Sequence, residues 1–201
     1  MHWVEIDGVR LPRRIGGHAA LDFCNTWAGW GRPPSPRREW LADYGRFALW
    51  AGYADLLDEA TATRLRRTAA RRPDEAAQEL TRARTLRSAL HAAVLEPDDP
   101  RALGKVSTFV RESSELAVLR PGLDGRPRWE LRPSAGLALP TLAVARAAAA
   151  LLTGPELRLV KVCPGEDCGW LFLDRKGRRR WCSMSACGNR SKVRAYAERH
   201  R

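Results

Sequence analysis

Cys163-Pro164-Gly165-Glu166-Asp167-Cys168 and Cys182-Ser183-Met184-Ser185-Ala186-Cys187 decide the fold of the C-terminal part of this chain. Each cysteine pair encloses four residues, and thirteen residues separate the pairs. A short loop presents two sulfurs to one ion, and the turn points Gly169 and Gly177 can bring the second pair back onto it. Zinc takes four thiolates in a tetrahedron, and a shell closed by four protein ligands is structural rather than catalytic. The competing reading is two disulfides. Met1-His2-Trp3-Val4-Glu5 carries no apolar signal region, so a cytoplasmic location is expected, where thiols stay reduced. A redox dithiol would have the tighter Cys-x-x-Cys spacing. Zinc is therefore the expected cofactor, with Cys163, Cys168, Cys182 and Cys187 as ligands. The fifth cysteine, Cys24, follows Phe23 and reads as a buried small hydrophobe.

The surroundings of the cysteines are basic. Arg175-Lys176-Gly177-Arg178-Arg179-Arg180 precedes Trp181, and Gly188-Asn189-Arg190-Ser191-Lys192-Val193-Arg194-Ala195-Tyr196 follows Cys187. The latter reads as a helix whose inner face is Val193, Tyr196, Ala197 and His200, with Arg190, Arg194 and Arg201 on a ridge beside it. A metal knot that fixes an arginine helix beside an arginine loop suits phosphate binding. The candidate nucleic-acid contacts are Lys176, Arg178, Arg179, Arg180, Arg190, Lys192 and Arg194.

Cys163-Pro164-Gly165, Cys168-Gly169-Trp170-Leu171-Phe172-Leu173-Asp174, Arg179-Arg180-Trp181-Cys182-Ser183-Met184 and Cys187-Gly188-Asn189-Arg190 together resemble the CGNR zinc finger. Gly16-Gly17-His18-Ala19-Ala20-Leu21-Asp22-Phe23-Cys24-Asn25-Thr26 resembles the start of the ABATE domain that precedes that finger. The resemblance implies a bacterial, stress-induced transcription regulator. In it the finger would bind DNA and the larger domain would sense a small molecule.

The 201 residues suffice for one domain, or for a domain of ordinary size plus a small module. No apolar run is expected to be long enough to span a membrane. The formal charge is +12, from 35 basic and 23 acidic residues. Twelve of the basic and five of the acidic residues fall in 155–201. This concentration points to an anionic partner for the tail, most simply nucleic acid, and no wide apolar face suggests a membrane surface instead.

Upstream, Trp3-Val4-Glu5-Ile6 and Val9-Arg10-Leu11 flank Asp7-Gly8 as a β-hairpin, and Gly16-Gly17 ends it. Leu21 to Trp27 fits either a strand or a helix, and residues 29–36 read as a loop. A helix carries Trp40, Tyr44, Phe47, Ala48 and Ala51 up to Gly52, and a second spans 55–71. Pro73-Asp74 starts a third, with Ala76, Leu80, Ala83, Leu86, Leu90 and Val94 as its core stripe. Asp99-Pro100 opens a fourth, carrying Leu103, Val106 and Val110. Leu116 to Leu119 and Arg128 to Leu131 are two short strands joined through Gly122 and Asp124-Gly125. Pro140 to Leu152 is an alanine-rich helix ended by Gly154-Pro155, and Leu157 to Val162 runs extended into the first cysteine pair. The fold class is thus α+β. A helix-rich N-terminal domain with short hairpins spans 1–154, and a treble-clef or ribbon-like zinc module spans 155–201.

Asp22, Asn25 and Thr26 lie close together after the double glycine. One reading is a ligand pocket with Asp22 and Asn25 as polar anchors and Trp27 and Trp30 as walls. The other is a helix cap and local backbone bonding. His18 has no obvious partner, and Trp27, Trp30, Trp40 and Trp50 suit a core or a domain contact. There is no P-loop, dinucleotide fingerprint, His-Glu-x-x-His or Gly-x-Ser-x-Gly, so no catalytic residue is assigned. The expected function is a DNA-binding regulator with an effector-sensing domain, for which a dimer is compatible. The alternative is a small-molecule binder or enzyme whose zinc module is only structural.

Overall fold

A computed structural model describes residues 3–32, 35, 38–122 and 125–200. The chain divides into two compact units: Met1–Ala42 joined by Pro155–Arg201, and Asp43–Gly154. The cut at Gly154-Pro155 is one edge of that division, and the N-terminal segment goes to the unit that holds the cysteines.

The second unit is helical. Its helices are α2 (Tyr44–Tyr53), α3 (Glu59–Arg71), α4 (Pro73–Leu95), α5 (Pro100–Leu116) and α6 (Leu139–Thr153). They follow β1 (Trp3–Ile6), β2 (Val9–Pro12) and α1 (Ala19–Cys24) of the first unit. Their starts are set by side chains that satisfy orphan backbone N–H groups. Asp43 accepts from Arg46 N, Asp58 from Thr61 N and Asp99 from Arg101 N. These caps explain two shifted boundaries. Trp40 lies before α2, because the helix begins only after Asp43. Asp55 has φ 57, so α3 starts at Glu59 and not at 55. The expected α4 stripe, Ala76, Leu80, Ala83, Leu86, Leu90 and Val94, is buried throughout. α4 packs against α5 and α6, and α2 against α3. Phe47, Trp50, Leu65, Leu86, Leu90 and Leu142 lie in this core, each contributing about 1.5–3 kcal/mol by leaving water. Between α5 and α6, β3 (Ala117–Pro121) pairs antiparallel with β4 (Pro127–Leu131). Leu116 belongs to α5 instead of the strand, and Asp124 of the expected turn lies outside the described residues.

Pro133–Thr153 corrects the expectation about membrane-length runs, since its 21 residues contain an 18-residue window with a mean hydropathy of 1.7. It is not one straight helix: Gly136 (φ 53, ψ −130) separates the 3₁₀ segment Pro133–Ala138 from α6. The apolar face of α6, including Leu142, Val144, Ala148 and Leu151, is buried as in a core helix.

In the first unit β1 (Trp3–Ile6) pairs with β2 (Val9–Pro12). Asp7 (φ 50) and Gly8 (φ 72) are both left-handed, as a tight Asp-Gly hairpin requires. The ambiguous apolar stretch forms α1 (Ala19–Cys24), which contacts β6 (Leu171–Leu173). The side chain of His18 caps α1, its Nδ1 accepting from Ala20 N at 3.2 Å. β6 pairs antiparallel with β5 (Val160–Val162). The segment before β5 differs from the extended chain expected: Pro155–Leu159 is a 3₁₀ turn, and only the last three residues pair. α7 (Asn189–Arg199) follows the second cysteine pair. Its expected inner face is not buried, with Val193 70% and Tyr196 59% exposed. Arg201 lies outside the described residues.

Candidate metal centre and basic surface

The hairpin β5–β6 carries Cys163 and Cys168 in its connection, and the turn Met184–Gly188 carries Cys187 into α7. This pairing of a knuckle hairpin with a knuckle before a helix has a treble-clef arrangement. All four sulfurs lie within 4.8 Å of one another, and all four cysteines are buried and unpaired by disulfides. Cys168 and Cys182 Sγ are 3.7 Å apart, and Cys182 and Cys187 Sγ 3.6 Å. A tetrahedral zinc with Zn–S bonds of about 2.3 Å requires sulfur–sulfur edges of about 3.8 Å. The observed edges match that figure and are far too long for a disulfide, whose sulfurs lie about 2.05 Å apart. The donor set therefore fits a tetrahedral thiolate metal.

Further donors support the sulfurs, as outer-shell groups do at metal sites. Cys182 N donates to Cys163 Sγ at 3.4 Å, and Arg190 Nη2 to Cys187 Sγ at 3.1 Å. The Arg190 guanidinium, bonded to Cys187 Sγ, favours the thiolate form that a metal needs. Trp170 and Phe172 share the buried cluster with the cysteines, and Ile15, Trp30 and Trp181 pack against it.

Two of those three come from outside the C-terminal 47 residues. Asn25 Nδ2 donates to Leu171 O at 2.9 Å, and Leu171 N donates to Asn25 Oδ1 at 2.8 Å. Leu173 N donates to Gly16 O at 2.8 Å, and Trp170 Nε1 to Trp27 O at 2.8 Å. A side-chain amide has the same donor and acceptor as a peptide group. Asn25 thus pairs with β6 on the side that β5 leaves free, as a neighbouring strand would. Asp22 accepts from Gly16 N at 2.7 Å, which fixes the turn into α1. A Cβ on Gly16 would lie 2.9 Å from Leu21 Cβ and 3.0 Å from Asp22 N, so only glycine fits there. Burial pushes the Asp22 carboxyl up to about 6, against the lowering effect of that hydrogen bond.

These bonds correct the pocket reading of Asp22, Asn25 and Trp27. Both polar atoms of Asn25 are engaged by Leu171, Asp22 is turned onto its own loop, and the Trp27 carbonyl receives Trp170. Asp22 thus bonds to its own loop, and the partner of Asn25 is β6.

The basic residues separate into two kinds. Arg179 turns inward. Its Nη1 donates to Leu173 O at 3.2 Å, its Nη2 donates to Ile15 O at 2.8 Å and Cys182 O at 2.6 Å, and its guanidinium lies 4.4 Å over the Phe172 ring. The structure departs here from the expected phosphate contact: three of the five N–H donors of Arg179 go to backbone carbonyls. Lys176, Arg178, Arg180 and Lys192 are exposed. Arg180 lies 5.3 Å over the Trp181 ring. Arg190 donates to the sulfur cluster, and Arg194 pairs with Glu166 at the surface.

Asp174, which sequence reading left without a role, organises the basic loop. Its carboxylate is buried and accepts from Lys161 Nζ at 2.6 Å, Arg178 N at 2.9 Å and Arg179 N at 3.1 Å. Lys161 chiefly, with those N–H groups, holds the Asp174 carboxyl down at about 2. The available signal was an aspartate four residues before the clustered arginines with Gly177 between, the pattern of a side chain closing a turn.

Residues 17–155 match the family model ABATE, described as "Putative stress-induced transcription regulator", and residues 159–200 match the CGNR zinc finger. No curated protein matches the chain. With the first match covering more than half of its residues and the second covering the four-cysteine centre, the chain belongs to the ABATE family and ends in a CGNR zinc finger.

Proposed function

We propose that this chain is a DNA-binding transcription regulator of the bacterial cytoplasm, acting in a stress response. Cys163, Cys168, Cys182 and Cys187 hold one structural zinc, and the cations around it meet phosphate. The supporting observation is that two exposed basic segments are anchored to one cysteine centre. Lys176, Arg178 and Arg180 lie on the loop entering Cys182, while Arg190, Lys192 and Arg194 lie on α7 leaving Cys187. Arg179 and Asp174 act as positioning residues that hold the loop's backbone. The helical unit, residues 43–154, serves as the effector-sensing part.

The test is a salt titration with two unrelated duplexes. With about five phosphates neutralised, log K falls against log salt with a slope of roughly −4 to −5 on both. Arg178→Ala and Arg180→Ala each reduce that slope by about one unit. Absence of binding at low salt would overturn the proposal and leave the finger a structural brace on a small-molecule binder or enzyme.

A further inference from the structure

The second unit contains a cleft of about 720 Å³ between the α2–α3 connection, β4 and α6. Its floor is the small-residue face of α6, Ala143, Ala147 and Ala150, spaced four and three residues apart along the helix. One wall is Trp129 of β4, which is 55% exposed. Arg146 stands between floor and wall, its guanidinium 5.2 Å over the Trp129 ring. Arg64 and Arg128 also line the cleft, so an alanine floor and an aromatic wall are rimmed by charged side chains, the make-up of a site for a small polar aromatic molecule.

The charges around the slot identify the missing partner. Three carboxylates line it, and two are visibly engaged: Asp58 accepts from the Thr61 N–H and hydroxyl, and Glu130 pairs with Arg128 at 3.4 Å. Asp55 also has a partner of its own. Among the described residues Arg146 has neither an ion pair nor a hydrogen bond, although it is half-buried. Burial lowers its pKa, and no neighbouring carboxylate offsets that effect. Stacking uses the face of a guanidinium and leaves its N–H edge free for a forked acceptor.

We infer that this cleft binds a planar aromatic carboxylate, with the ring on the alanine floor beside Trp129 and the carboxylate accepting the paired N–H groups of Arg146. The inference rests on the reading of residues 43–154 as the effector-sensing part. Its test measures ligand binding alone, so its failure leaves the DNA titration untouched.

The experiment is calorimetric titration of the full chain with 2-naphthoate and with its neutral isostere 2-naphthamide. Saturable binding of 2-naphthoate is expected, with 2-naphthamide weaker by about tenfold or more, because a charge-assisted forked pair is lost. Arg146→Gln, which keeps most of the side-chain length, should weaken 2-naphthoate by a similar factor and leave 2-naphthamide unchanged. Trp129→Ala should weaken both. No saturable heat at millimolar 2-naphthoate, equal affinity for acid and amide, or full affinity in a folded Arg146→Gln chain overturns the assignment. If Arg146→Gln lowers the melting temperature, Arg146→Lys replaces it. An ammonium cannot form the forked pair, and unchanged affinity in that variant also overturns the site.

Discussion

Asn25 and Leu171, 146 residues apart, exchange two hydrogen bonds, one in each direction between a side-chain amide and a backbone peptide. Asn25 and Leu171 are both fully buried, so neither bond competes with water. Removing the amide leaves a backbone N–H and a C=O unsatisfied inside the first unit. Each such group costs about 1–3 kcal/mol. Asn25→Ala should therefore lower stability by roughly 2–4 kcal/mol and weaken metal retention in competition with a chelator. Denaturant unfolding within about 0.5 kcal/mol of wild type would show that β6 does not depend on this clamp.

Metal removal should reach further along the sequence than the finger itself. Ile15 and Trp30 pack on the cysteine cluster, and Gly16 and Asn25 bond to β6. In Cys182→Ala, or under strong chelation, amide exchange should accelerate together in residues 15–30 and 160–188. Core amides of α4 and α6 should keep their protection. Exchange confined to residues 160–200 would contradict a shared core. Metal analysis of the untreated chain should give one zinc per chain.

Asp22 should leave a pH signature. Its carboxyl is raised to about 6 in the fold against an ordinary value near 4, so the folded state holds the proton over a range where the unfolded chain has lost it. Stability then falls as pH rises from about 4 to 6 and levels off above. Asp22→Asn keeps an oxygen for Gly16 N and abolishes the ionisation. Its stability should gain on wild type as pH rises through that window, by an amount on the order of 1–3 kcal/mol at neutral pH. A constant difference between the two proteins from pH 4 to 7.5 would refute the shift.

Arg179 and its neighbours should respond differently to the same substitution. Arg179→Ala removes three bonds to carbonyls and a stacked guanidinium, at a cost of about 2 kcal/mol or more. Arg178→Ala and Arg180→Ala should change the melting temperature little. Thermal unfolding separates the cases: equal, small shifts in all three would return Arg179 to the exposed set.

The sequence alone determined what depends on local spacing. The two cysteine pairs, the Asp7-Gly8 turn, the α4 stripe and the cap at Asp99 can each be read within a few residues, because the forces that act there are local. The tertiary structure decided which polar groups are already spent. Asn25 could be read as a pocket residue or as a local cap until Leu171 lay against it, and Arg179 looked like its neighbours until the carbonyls of Ile15, Leu173 and Cys182 closed on it. Val193 and Tyr196 have the spacing of a buried face, yet α7 has no buried residue. Periodicity marks which side chains share a side of a helix, whereas burial depends on what packs against that side. Long-range hydrogen bonds leave no periodic trace, since each joins two positions whose separation along the chain is set by the fold.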